Sequence, residues 1–191
     1  MKLTMDILIA KNACKDGLDW YKENGCDTVE GTIEKVLQTD VTERFEWSVW
    51  LISRMIDRKR CCRFAIYSAE LALPIFEGKF PDDKRPRIAV EATKRFLVGE
   101  TTHKELNAAY TAAAAAYTAA GAADAAGAAA AYAAAAACAA AACSAAYADA
   151  AAYADDAAAC AAAAYAAYVK EATYLKIVYH GLELIKEMEV I

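Results

Sequence analysis

Between Glu77 and Arg87 the chain gathers Glu77, Asp82, Asp83, Arg85 and Arg87 around Pro81 and Pro86. Arginine presents a planar fork that matches carboxylates and phosphates, and a helix starting at Pro86 adds backbone N–H donors aimed the same way. The chemistry this suggests is contact with an anion or with a partner. The same residues could instead cap the helix and tie the loop to its neighbours by ion pairs. A second constellation is Asp149, Tyr153 and Asp156, which share a face if their stretch is helical. Acids there could receive hydroxyls, an amine or a metal ion, or could simply cap helices and keep an outer face soluble. Trp50 and Tyr67, with Trp20 and Trp47, could stack a base or ring, although aromatics at helical spacing also build cores. The basic run Arg54, Arg58, Lys59, Arg60 and Arg63 could meet phosphate or solvate a helix end.

Catalysis finds little support. His103 and His180 each stand alone, and no GxSxG, HExxH, Walker or GxGxxG pattern is present. Glu77 and Asp82 could pair as acid and base, but nothing places a nucleophile between them. The seven cysteines form no CxxC pair and no zinc-type cluster with histidine. They are expected to serve as small buried apolar residues in a reducing compartment. The sequence therefore predicts a binding protein rather than an enzyme, with no cofactor and no resident metal.

The elements that position these residues are all helical. Met5 to Ala13 opens a first helix, and Cys14 to Asn24 continues its pattern up to an Asn24-Gly25 stop. Thr28 caps Val29 to Gln38, Thr42 can cap the next helix, and Phe45 to Met55 is apolar on one side. Arg58-Lys59-Arg60 reads as a polar connection before a buried helix over Cys61 to Phe76. Phe76 to Arg87 reads as the one true loop, followed by a helix over Arg87 to Val98 that stops at Gly99. Thr101 or Thr102 caps the helix after it. From Ala108 to Tyr168, 42 of 61 residues are alanine, so helix is nearly forced. A single rod of that length would reach about 90 Å, so it must fold back, with breaks expected near Gly121 to Gly127 and Ser144 to Asp156. Val169 to Met188 is a last, amphipathic helix. The expected fold is all-α: one domain over 1–191, a multi-helix bundle with an alanine-rich, closely packed C-terminal half over 108–168.

Charge narrows the partners. Residues 1–107 hold 18 basic and 18 acidic side chains, whereas 108–168 hold four aspartates and no lysine or arginine. That acidic half argues against nucleic acid, which needs a continuous basic surface. No stretch of eighteen strongly apolar residues suggests a membrane span, and Asp6 falls where a leader would need its apolar run. A cytoplasmic protein is expected, with a homo-oligomer open.

The stretch Leu73-Pro74-Ile75-Phe76-Glu77, Phe80-Pro81-Asp82-Asp83, Arg85-Pro86-Arg87, Ala89, Glu91-Ala92 and Phe96, leading into the Ala/Tyr/Asp run, resembles the alanine-rich putative immunity protein family of bacteria and phages. Cys14, Gly17-Leu18 and Trp20 are similar too. The chain departs from the family in having no tryptophan or arginine inside the alanine run. The resemblance implies neutralisation of a toxin and nominates Glu77, Asp82, Asp83, Arg85 and Arg87. Two modes follow. In the first, the protein sequesters a small, polar, nucleotide-like signalling molecule between the arginine loop and the Tyr153/Asp156 face, blocking a defence system. In the second, its surface occludes a toxin or effector protein.

Overall fold

The structure, a computed structural model, describes residues 1–39, 44–121 and 171–189. Among them the chain is helical, without a strand, and built from eight helices. These are α1 (Met5–Ala10), α2 (Lys15–Asn24), α3 (Val29–Leu37), α4 (Arg44–Met55), α5 (Arg58–Lys79), α6 (Arg85–Leu97), α7 (His103–Gly121) and α8 (Glu171–Glu189). The all-α reading stands. The expectations for 122–170, including Asp149, Tyr153, Asp156 and the fold-back breaks, lie outside the described residues, as does Thr42.

Helix starts follow capping chemistry. The side chains of Thr4, Cys14 and Thr28 accept from the N–H groups of Ile7, Gly17 and Gly31, three residues on, satisfying donors the first turn leaves unpaired. At α7 the arrangement is reciprocal: Thr102 Oγ accepts from the N–H of Glu105, and the Glu105 carboxylate accepts from the N–H of Thr102 at 2.8 Å. The Thr101 and Thr102 hydroxyls also donate to that carboxylate, at 2.7 and 2.9 Å. This capping box holds the Glu105 carboxyl down to about 2, chiefly through the backbone donor of Thr102.

Three boundaries differ from those expected from the sequence. The first helix does not continue past Ala10, because Asn12 takes a left-handed backbone (φ 61). Asn12 N–H then donates to Ile9 O and Ala13 N–H to Leu8 O, both at 3.0 Å, the Schellman pattern that ends a helix. Gly99 (φ 78) ends α6 in the same way, with bonds from Gly99 to Phe96 and from Glu100 to Arg95. Secondly, Arg58-Lys59-Arg60 is helical rather than a connection. Basic residues at a helix start oppose the dipole, but Asp57 caps the turn through Arg60 N–H, and Arg60 and Arg63 both reach Glu187 of α8. Thirdly, α5, expected to end at Phe76, continues to Lys79, so the expected long loop shrinks to residues 80–84. Pro74 removes one donor, which would have bonded to the carbonyl of Glu70, without ending the helix.

One core unites the described body. Leu3, Val29 and Ile33 from the N-terminal part meet Val49 and Ile52 of α4, Phe64, Leu73 and Phe76 of α5, and Ile177, Leu184 and Ile185 of α8. α6 and α7 pair separately through Ala89, Ala92, Leu106, Ala109 and Ala113, with Phe96 against them, the close alanine packing expected of this composition. Helix α8 crosses α4 and α5 at Gly181. A Cβ there would lie 2.7 Å from two Ile52 carbons and 3.0 Å from Phe64. No described helix is long and apolar enough to cross a membrane.

Two outcomes test this architecture. Gly181→Ala gains helix propensity of roughly 1 kcal/mol, yet overpacking against Ile52 and Phe64 costs about 1–3 kcal/mol. A net loss in urea unfolding is expected; a net gain would mean that α8 does not cross there. The Glu105 contribution is present above the unfolded carboxyl pKa of about 4.3 and is lost as pH falls through about 2. Carbon-detected titration of the carboxyl should find its midpoint near the lower value, and Glu105→Gln should remove this part of the acid sensitivity.

Candidate binding site

The arginine loop is neutralised by its own carboxylates. Arg85 at the start of α6 donates to Asp83 from Nε at 2.8 Å and from Nη2 at 2.5 Å. Arg87 donates to both oxygens of Glu77, at the end of α5, at 2.5 and 2.6 Å. These forks hold Glu77 and Asp83 below the ordinary carboxylate range and raise the two guanidinium groups. Asp82 is exposed and makes no ion pair among the described residues. The structure thus brings together four of the five loop residues as two bidentate pairs: Arg87–Glu77 ties α6 to the end of α5, and Arg85–Asp83 closes the loop onto the start of α6. None of the five lines the cleft around the tryptophans or the hollow around Tyr67.

Tyr67 and Trp50 fall in separate concavities. Tyr67 on α5 stacks on His180 of α8, with ring centroids 4.1 Å apart, in an open hollow that also contains Arg63 and Lys94. Burial lowers the pKa of His180, against the pull of Glu183. The cations of this hollow are largely spoken for. Arg63 forks onto Glu187 at 2.6 and 3.0 Å, and Lys94 sits between Glu70 and Glu91 at 2.6 and 2.9 Å.

Trp50 lies in a different place. All three tryptophans of the chain, Trp20 of α2 with Trp47 and Trp50 of α4, line one cleft of about 340 Å³, within the range of ligand sites. Each is half-buried. Trp20 and Trp47 meet edge to face at 6.2 Å, a favoured geometry for aromatic pairs. The floor comes from Leu8, Ala13, Val36 and Leu51, and the Schellman turn brings Asn12 to the edge.

Most polar groups of this cleft are already engaged. The Tyr21 hydroxyl lies 3.1 Å from Leu3 O and 3.0 Å from Cys26 O. Thr32 Oγ1 donates to Cys26 O and accepts from Cys26 N–H. Cys14 Sγ accepts from Gly17 N–H at 3.3 Å. Glu46 lines the cleft without an ion pair among the described residues, and it is the one charged side chain in the lining. Cys14 also corrects the expectation of buried cysteines: it is exposed and Cys26 intermediate, whereas Cys61 and Cys62 are buried. Among the described residues no group of three or more His, Cys, Asp or Glu side chains could hold a metal ion.

Of the cleft residues the sequence reading nominates Trp50 as a site residue, and it offers Trp20 and Trp47 beside it as rings that could stack a ligand or build the core. It passes over Glu46 and Asn12. The available signal was spacing: Glu46 and Trp50 are four apart on one helix and so share a face, with Trp47 beside them.

Compared with known proteins, residues 52–177 match the family described as Imm-5 like putative immunity protein. No curated protein and no solved structure matches. The matched region takes in the 73–96 stretch and the arginine loop. It starts at Ile52, just past the last cleft residue, Leu51, and does not reach Cys14, Gly17, Leu18 or Trp20.

If the arginine forks are braces, Arg85→Ala combined with Arg87→Ala should keep full helicity by circular dichroism. The loss of stability should be no more than about 2 kcal/mol, since partly exposed ion pairs are worth about 0–1 kcal/mol each. Global unfolding of the double variant would mean that the loop carries far more of the fold than this geometry allows.

Proposed function

This chain belongs to the Imm-5 like putative immunity protein family, and from that premise we propose that it neutralises a protein effector by binding it directly, without catalysis. The observation that carries the reading is the convergence of all three tryptophans on one half-open cleft. Tryptophan is enriched among residues that dominate binding energy, and such residues sit in desolvated pockets ringed by weaker contacts. A cleft of this size accepts one or two side chains. It would serve as the anchoring pocket of a wider interface, which in stable complexes buries roughly 1,200–2,000 Å². The division of the chain fits this role: the family-matched part supplies α5 to α7 and part of α8, and the first 51 residues supply the recognition cleft.

Sequestration of a small ring-bearing molecule is the second reading, favoured by the ligand-like volume of the same cleft. The arginine loop gives it little help, because both guanidinium forks are occupied by Glu77 and Asp83.

Co-expression with a panel of toxic bacterial effector proteins tests the proposal. The intact chain should restore growth and form a complex that survives size-exclusion chromatography. Trp50→Ala should weaken that complex by at least about 2 kcal/mol, close to thirty-fold, while circular dichroism stays unchanged. Restored growth without any complex would overturn direct binding and favour capture of a small molecule.

A further inference from the structure

The cleft also says what kind of group it accepts. Its walls are indole faces and edges, its floor is aliphatic, and its lining holds no lysine or arginine. Tyr21, Thr32 and Cys14 have committed their polar atoms to backbone groups. The acceptors left over are the Glu46 carboxylate and the Asn12 amide oxygen. An apolar guest would leave both acceptors at the rim unused, whereas a cationic head there would meet the exposed Glu46 carboxylate. A cation would be attracted by the ring quadrupoles and by the carboxylate together. The protein already uses this attraction nearby, since the guanidinium of Arg54 lies 5.9 Å from the centre of the Trp50 ring.

We propose that the tryptophan cleft receives a lysine or arginine side chain of the partner protein, held between the indoles with Glu46 as its counter-ion. This rests on the protein-binding reading above and adds the chemistry of the anchoring residue. The aliphatic stem packs on Leu8 and Val36, and the charged head stays at the half-open mouth beside Glu46, as long cationic side chains do at apolar surfaces.

The experiment titrates the full chain with acetyl-arginine amide and acetyl-lysine amide, followed by tryptophan fluorescence. Acetyl-citrulline amide and acetyl-norleucine amide are the uncharged counterparts. Both cations should bind at millimolar concentration and the neutral isosteres should bind about ten-fold more weakly or not at all. Glu46 is exposed, so Glu46→Gln should fold normally; it should cut cation binding about ten-fold, and added salt should do the same to the parent chain. Equal binding of norleucine and lysine amides, or an unchanged Glu46→Gln, overturns the proposal. So does tighter binding of choline or of a neutral indole, which would give the cleft to a small molecule. The two readings fail separately. If Trp50→Ala loses effector binding while Glu46→Gln keeps it, the cation is wrong and the protein partner stands. If the cations bind but Trp50→Ala still neutralises the effector, the cleft is not where the effector docks.

Discussion

The described fold depends on a missing side chain. At Gly181 the last helix has only hydrogen where any other residue would place a carbon, and Ile52 and Phe64 fill that space. Residues more than a hundred positions apart are thereby brought to van der Waals distance. The core that follows, from Leu3 to Ile185, includes Ile52 and Phe64 on one side of this crossing and Ile177, Val178, Leu182 and Ile185 on the other. Around its rim, Arg63 forks onto Glu187 and fixes how far α8 slides along α5. Close-packed interiors tolerate little change of volume, so the register of α8 is set sterically first and electrostatically second.

Much of this was legible in the sequence because local chemistry and tertiary need agree. Thr28 before an apolar 3.6-residue period, Gly99 after one, and the adjacent Thr101 and Thr102 each mark a helix end that packing has no reason to move. The misread places are those where a distant partner changes the local balance. Arg58-Lys59-Arg60 looks like a solvated connector until Glu187 arrives from the other end of the chain. Phe76 to Arg87 looks like one long loop, yet α5 runs on to Lys79, where Glu77 meets Arg87 of the next helix. Asn12 is the opposite case, a short polar residue whose tolerance of a left-handed backbone splits what the hydrophobic period reads as one helix.

The candidate binding site was harder to read for a similar reason. Charge clusters stand out in a sequence, and the Glu77–Arg87 stretch drew attention on that basis. In the structure its forks face their own neighbours and do the work of a brace. The tryptophans are quieter in sequence, because an indole at helical spacing reads equally well as core. What separates the two is the amount of cover, and cover depends on how α2, α3 and α4 sit around one another. The family match over 52–177 adds a boundary: the scaffold is the family's, and the cleft lies in the residues before it.

Helix α2 buries none of its residues completely, yet it forms one wall of the cleft. Its link across to α4 runs through the edge-to-face contact of Trp20 and Trp47, worth on the order of 1 kcal/mol beyond its area. Elements with so little buried surface open far more often than the core does. The wall is therefore compliant while the opposite one, on α4, is anchored by Val49 and Ile52. A cleft with one stiff jaw and one soft jaw can adjust its gape to guests of different girth, and the strain of doing so stays out of the core.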